Sequence, residues 1–255
     1  MGLGYRELAS ELRVAIERGE HARGATLPKQ ADLAERFGVN IKTVRAAVSL
    51  LESEGLVTPV RRRGTVVREQ PPMRRLGIDR YAKSRWKFGN SGPVAADREA
   101  SGLEWKQGDQ TQTVALVMPS ARVADVLGVD PAVKVYARAR TVRLDNRPTH
   151  TLTSYYRVED VEGTPLVRST SGLAGRGGGF AVLTLRGLEP HQVTETVSAR
   201  MPTPDETKTL ELPAGEPVMI LERIVRTKEG RPVEYATGVH AASRFAWTYT
   251  FDMPD

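Results

Sequence analysis

Leu33-Ala34-Glu35-Arg36-Phe37-Gly38-Val39-Asn40-Ile41-Lys42-Thr43-Val44-Arg45-Ala46-Ala47-Val48-Ser49-Leu50-Leu51 carries two helix signals separated by a stop. The first helix begins near Lys29 and ends at Gly38. Asn40 can cap the second, because an asparagine side chain accepts a hydrogen bond from the free N–H groups of a first helical turn. In that second helix, expected to run to about Glu54, Val44, Val48 and Leu51 lie at i, i+4 and i+7 and form one buried stripe. Ile41, Lys42, Arg45 and Ser49 then face outward. Two short helices joined by a tight glycine-containing turn make a helix-turn-helix, whose second helix enters the major groove of DNA. An arginine in that groove forks onto guanine O6 and N7. Arg45 is placed to do this, Lys42 to reach a guanine or a phosphate, and Ile41 to pack on a thymine methyl.

Upstream, Tyr5, Leu8, Leu12, Ala15 and Ile16 recur at helical spacing, and Gly19 ends a helix over residues 5–18. Residues 24–28 read as a turn. Downstream, Leu56–Val60 and Thr65–Val67 are strand-like, with Arg61, Arg62, Arg63 and Gly64 at the tip between them. Three adjacent arginines repel one another unless something anionic faces them, and a wing laid on DNA phosphates or in the minor groove meets that need. The charge balance agrees. Residues 1–75 hold 14 Lys and Arg against 9 Asp and Glu, whereas residues 76–255 hold 23 against 22. A basic segment attached to a near-neutral remainder suits a nucleic-acid partner.

Leu27-Pro28, the run from Leu33 to Val39, Thr43-Val44-Arg45, Leu50-Leu51, Glu54-Gly55-Leu56-Val57 and Arg63-Gly64-Thr65-Val66-Val67 together resemble the GntR family of bacterial transcription regulators, over about residues 5–67. The resemblance implies a winged helix that binds a two-fold operator as a homodimer. It carries the family's groove-reading arginine onto Arg45, the polar first turn of the recognition helix onto Asn40, Lys42 and Thr43, and the wing glycine onto Gly64, with Thr65 beside it. Two positions depart from the pattern. The family's serine, glutamate and DNA-contacting arginine after Leu-Pro are Lys29, Gln30 and Ala31 here, leaving Lys29 to reach a phosphate. A second family arginine, at the start of the recognition helix, is Ile41. An operator different from the family's usual one is expected.

Two prolines and no core pattern mark residues 69–84 as a linker between a DNA-binding domain (1–68) and a second domain (85–255). Residues 80–110 read as loop-rich, with Trp86, Phe88 and Trp105 as packing anchors. From Thr111 onward, strands are expected over Thr111–Met118, Val133–Leu144, Thr149–Tyr156, Val193–Met201, Pro217–Thr227 and Val233–Ala241, with short helices at Ala121–Leu127 and Thr203–Leu210. The segments ending in Asp145-Asn146-Arg147-Pro148 and Glu229-Gly230-Arg231-Pro232 look like one hairpin duplicated. The expected fold class is α+β, an antiparallel sheet with helices over one face, following the winged helix.

This second half resembles the UTRA effector-binding domain of the HutC branch of the GntR family, over about residues 85–252, most clearly at Leu221-Glu222-Arg223 and Gly230-Arg231-Pro232-Val233-Glu234-Tyr235. The resemblance implies a chorismate-lyase-like fold that binds a small-molecule effector, often phosphorylated or carboxylated, and supplies the dimer interface. Residue by residue it carries a pocket arginine onto Arg140, an acid onto Glu234, its aromatic partner onto His240 and a loop hydroxyl onto Ser91. The family's second arginine and its acid on the next strand fall on Val142 and Leu152. Read physically, Arg138 and Arg140 share one strand face, which suits a nearby anion.

The chain has no cysteine, which excludes disulfides and thiolate chemistry. It has no apolar run of the roughly 18 residues needed to span a bilayer and no signal-peptide core at its start, so a cytoplasmic protein with no membrane partner is expected. Its four histidines show no metal spacing. Gly175-Arg176-Gly177-Gly178-Gly179 lacks the Lys-Ser/Thr of a P-loop and reads as a loop. No metal, cofactor or catalytic residue is expected. The reading is a transcription regulator, a repressor modulated by an effector. A constitutive repressor and, less favoured, a lyase-like enzyme tethered to DNA are the alternatives.

Overall fold

The computed structural model describes residues 3–68, 73–87, 92–104, 106–144, 146–169, 178–250 and 253. Phe88, Trp105, Asp145 and residues 175–177 of the glycine run lie outside them.

Three helices, α1 (Tyr5–Glu17), α2 (Gln30–Phe37) and α3 (Ile41–Ser53), pack around one core and are followed by a hairpin of β1 (Val57–Val60) and β2 (Gly64–Val67). The core is the apolar stripe of each helix: Leu8, Leu12 and Ile16 from α1, Leu33 from α2, and Val44, Val48 and Leu51 from α3, closed by Val57 and Val67. Tyr5 is exposed and Ala9 takes a core place. Gly38 ends α2 in the left-handed region (φ 62°), where a residue without Cβ is unstrained. That bend aims α3 across α2, and the Asn40 side chain accepts from Thr43 N at 2.8 Å to cap it. The stretch 24–28 does more than turn. Gly24 N donates to Val67 O, Val67 N to Ala25 O and Leu27 N to Thr65 O, so it pairs with β2 and braces the wing.

The remaining elements form a six-stranded antiparallel sheet, a separate two-stranded parallel pair, and helices that cover both faces of the large sheet where one covered face was expected, because each face carries its own apolar cluster. In chain order they are β3 (Met73–Leu76), α4 (Lys83–Trp86), α5 (Pro93–Ala100), β4 (Gln110–Val117), α6 (Ala121–Leu127), β5 (Val135–Leu144), β6 (Arg147–Tyr156), α7 (Val158–Val161), α8 (Gly178–Leu185), β7 (Gln192–Arg200), α9 (Pro204–Leu210), β8 (Val218–Arg226), β9 (Pro232–Ala241) and β10 (Phe245–Thr248). The sheet order is β4-β5-β6-β9-β8-β7. Each half is strand, helix, hairpin, and the halves join where β6 meets β9. Both hairpins carry a register shift near the turn, at Val142/Arg143 and at Val225/Arg226. The duplication read from the sequence is thus an approximate two-fold repeat within the sheet.

The stretch read as loop-rich contains helices α4 and α5, and β3, inside the segment read as a linker, pairs in parallel with β10. The misreading has a physical cause. The residues buried along this stretch include Arg75, Arg80, Asp97 and Arg98, so hydropathy looks polar where the chain is packed. Their charges are matched: Arg80 Nη2 lies 2.9 Å from Asp97 Oδ2, and Arg98 Nη1 lies 2.5 Å from Asp109 Oδ2.

Candidate nucleic-acid interface and effector site

With Val44, Ala47 and Val48 buried, the outer face of α3 presents Ile41, Lys42, Arg45 and Ser49, all exposed, and Thr43 half-buried behind the Asn40 cap. Arg45 Nε donates to Gln30 Oε1 at 3.3 Å, which leaves its two terminal nitrogens to form a fork. Gln30 was read only as a departure from the family's pattern; its position at the first turn of α2, facing α3, is visible only once the two helices are packed. Lys29 is exposed just ahead of α2. At the wing tip Arg61 and Arg62 are exposed and bond to no described residue, whereas Arg63 turns back and donates to Gly24 O at 2.6 Å. Gly64 takes φ 95°, and Thr65 pairs with Pro59 across the hairpin. Lys42 and Arg45 therefore share one cationic face with the first turn of α3, whose free N–H groups also favour phosphate.

In the second domain the register places Gln112, Arg138, Arg140, Ser154, Tyr156, Glu234, Arg223 and Glu195 on one sheet face, because successive residues of a strand alternate sides. Arg223 Nη2 donates to both oxygens of Glu234, at 3.1 and 2.9 Å, and the Tyr156 hydroxyl donates to Glu234 Oε1 at 2.9 Å. Arg140 bonds to Ser154 and Arg138 to Gln112. Tyr81 and Arg75 both reach Glu195, and Arg80 pairs with Asp97. Tyr81 stacks on Phe180 with ring centroids 5.8 Å apart, and Arg223 lies 5.7 Å over the same phenyl ring.

Arg75, Arg80, Arg138, Arg140 and Arg223 thus stand against Asp97, Glu195 and Glu234 in a largely dry interior. Burial, and then the Arg138 charge, push Arg140 down to about 10. The Arg223 charge holds Glu234 below the usual carboxylate range in spite of its burial. Six buried guanidinium nitrogens in this group, Arg75 Nε, Arg80 Nε and Nη1, Arg138 Nε, Arg140 Nε and Arg223 Nε, have no hydrogen-bond partner among the described residues. An excess of buried, under-bonded cations is a place for an anion.

Of the effector residues expected from the sequence, the structure brings Arg138, Arg140 and Glu234 together. His240 lies on the same face but belongs to an aromatic cluster, stacked on His150 at 4.6 Å and edge-on to Phe245 and Trp247. Ser91 lies outside the described residues. Val142 and Leu152 are buried, apolar parts of the face. Arg223, Tyr156 and Glu195 were missed. For Arg223 a signal existed, since it shares strand parity with Leu221 and Val225, which are buried.

The histidine pair gives the fold a defined acid sensitivity. Burial, with Arg75 and then Arg140 nearby, lowers His150 to about 3, and burial with the neighbouring His150 lowers His240 as well. Both stay neutral when folded and bind protons when unfolded, so their contribution is full above about pH 6.5 and is lost as pH falls below it. Asp97, which burial raises to about 7, opposes this as one group against two. Urea midpoints at pH 7.5 and pH 5 are expected to fall with acidity; an unchanged or higher midpoint at pH 5 would contradict the neutral, buried pair.

Residues 4–67 match the family described as "Bacterial regulatory proteins, gntR family", and residues 107–246 match the UTRA domain. An HTH-type transcriptional regulator of Streptomyces coelicolor is 49% identical over 251 residues, covering 98% of this chain and 93% of that protein. The HTH-type transcriptional repressor NagR of Bacillus subtilis is 23% identical over 97% of this chain and 94% of its own length. A crystal structure of a GntR-family transcriptional regulator superposes with a TM-score of 0.65 at 26% identity, covering 98% of each chain. That of PhnF from Mycobacterium smegmatis superposes at 0.58 with 21% identity, over 97% of this chain and all of that one, and supports the fold.

Proposed function

Since this chain belongs to the GntR family and joins a winged helix-turn-helix to a UTRA domain, and is therefore a DNA-binding transcription regulator, we propose that it is an effector-modulated repressor acting as a homodimer on a two-fold operator. The observation that carries the DNA-binding half is the outward face of α3, with Lys42 and Arg45 exposed over a fully buried Val44. In this reading Asn40, Ile41, Lys42, Thr43 and Arg45 enter the major groove, Lys29 takes a phosphate, and Arg61, Arg62, Arg63, Gly64 and Thr65 place the wing on the backbone or in the minor groove. The naming of one relative as a repressor favours repression.

The effector is a small molecule bearing a phosphate or carboxylate, bound at the sheet face where Arg138, Arg140 and Arg223 outnumber Glu234. Ser91 and His240 stand at the margin of that proposal. The protein works without cofactor or metal, as a regulator and not an enzyme, in the cytoplasm. Among the described residues no helix is long and apolar enough to cross a membrane.

Fluorescence anisotropy on the chain's own upstream DNA tests this. Expected is saturable, site-dependent binding by two chains per site, with log affinity falling linearly in log salt by about 0.9 per phosphate neutralised. Equally weak binding to every duplex would sink it. An anionic effector at about 100 times its Kd is expected to stabilise the protein by about 2.7 kcal/mol. Failure of every phosphorylated or carboxylated metabolite to raise Tm would leave a constitutive repressor.

A further inference from the structure

The head and the second domain meet along a cleft of ≈ 300 Å³, which is outside the sheet-face group and shares only Arg63 with the proposed DNA contacts. The head contributes Thr58, Arg63 and Arg68. The second domain contributes Arg147, Glu216 and Arg244. Four guanidinium groups therefore line a hollow that holds one carboxylate.

That carboxylate is already committed. Glu216 Oε1 accepts from Ser243 N at 3.1 Å and from Ser243 Oγ at 2.7 Å, and Oε2 lies 3.6 Å from Arg68 Nη1. Arg244 spends its terminal nitrogens on backbone carbonyls, including Leu210 O at 2.6 Å and Glu211 O at 3.0 Å, and meets no carboxylate. Arg68 donates to Ala214 O at 3.2 Å. Among the described residues, Arg68 Nε and Arg244 Nε, the Thr58 hydroxyl and one acceptor, Glu216 Oε2, are buried here without a hydrogen-bond partner, so cationic donors outnumber the free acceptor. Arg147 is exposed at the rim and bonds to no described residue. Burial first, and then the Arg147 charge, push Arg244 down to about 10, and burial also lowers Arg68. Guanidinium groups cannot relieve such crowding by losing a proton near neutrality, so a bound anion is the group that relieves it best.

We propose that this interdomain cleft binds a small polyvalent oxyanion, a phosphate- or carboxylate-bearing metabolite, held between Arg63 and Arg68 of the head and Arg147 and Arg244 of the second domain. Its volume is at the lower end of small-molecule sites, about 300–1,000 Å³. A ligand that touches both domains favours their docked arrangement by its difference in affinity for the docked and undocked states. The site thus gives the protein a second anion input, independent of the sheet face.

Isothermal titration of the full chain with inorganic pyrophosphate, and separately with citrate, at about 0.15 M salt tests the proposal. Expected is saturable binding of at least one of them, weakened roughly tenfold or more by Arg147→Glu, which reverses a rim charge. Because Arg147 is exposed and unbonded, this variant keeps its fold. Arg140→Gln alters only the sheet face and is expected to leave the cleft's binding in place. Three results overturn the proposal. One is no saturable binding of either anion. Another is binding lost in Arg140→Gln and intact in Arg147→Glu, which puts the anion on the sheet face. The third is displacement of the anion by a non-operator duplex, with Arg147→Glu weakening duplex binding by the same factor, which makes a DNA phosphate the occupant.

Discussion

Operator binding by the Arg45→Ala protein is expected to be weaker by about 1–3 kcal/mol per half-site, on the order of ten- to a hundredfold, with binding to unrelated duplex little changed. The argument is geometric. Arg45 is exposed on the face of α3 opposite Val44 and Val48, so its removal leaves the head core intact. Its Nε is occupied by Gln30, which fixes the plane of the guanidinium and leaves the two terminal nitrogens free to pair with guanine O6 and N7. Gln30→Ala removes only that restraint and is expected to cost less than Arg45→Ala, at the same base pair. Lys42→Ala serves as the contrast. If Lys42 holds a phosphate, its loss weakens every sequence alike and reduces the salt slope by about one. Anisotropy on operator and scrambled duplexes reads all three; an Arg45→Ala protein that binds both as the parent does would remove α3 from the groove.

Glu234→Ala is expected to destabilise the second domain by about 3–5 kcal/mol, because it strands a buried charge. Arg223 is almost fully buried and places one terminal nitrogen on both Glu234 oxygens, and the Tyr156 hydroxyl loses its acceptor in the same step. Removing the carboxylate leaves Arg223, Arg140 and Arg138 facing one another with less to balance them. That cost belongs to the orphaned cation and is no measure of what the pair contributes. Arg223→Met combined with Glu234→Leu is therefore expected to recover much of the loss. Urea unfolding followed by tryptophan fluorescence checks this, since Trp86 packs on Phe180 beneath Arg223. A loss under about 1 kcal/mol would mean that water reaches Arg223, and that the sheet face is wetter than its burial implies.

The sequence by itself determined the elements whose signals are local. The caps at Gly38 and Asn40, the Val44–Val48–Leu51 stripe, the arginine-tipped hairpin and the two Arg-Pro turns depend on neighbours within a few residues, so they read correctly with no knowledge of what packs on them. Arg45 and Arg140 could be singled out for the same reason, from helix and strand parity, whereas Glu234 came from the resemblance of the second half to the UTRA domain. Tertiary structure decided everything that depends on a distant partner. Arg75, Arg80, Asp97 and Arg98 look like loop residues until their charges are matched across the fold. Gln30 has no role until α2 lies against α3, and Arg223 none until β8 pairs with β9 beside Glu234. Arg63 reads as a third wing cation, yet its guanidinium turns to Gly24 O because residues 24–27 pair with β2. Arg68, Arg147 and Arg244 are far apart in the chain and surround one cleft only because the head docks there. A buried charge is tolerated only where its counter-charge or hydrogen-bond partner arrives, and that arrival is a property of the folded chain as a whole.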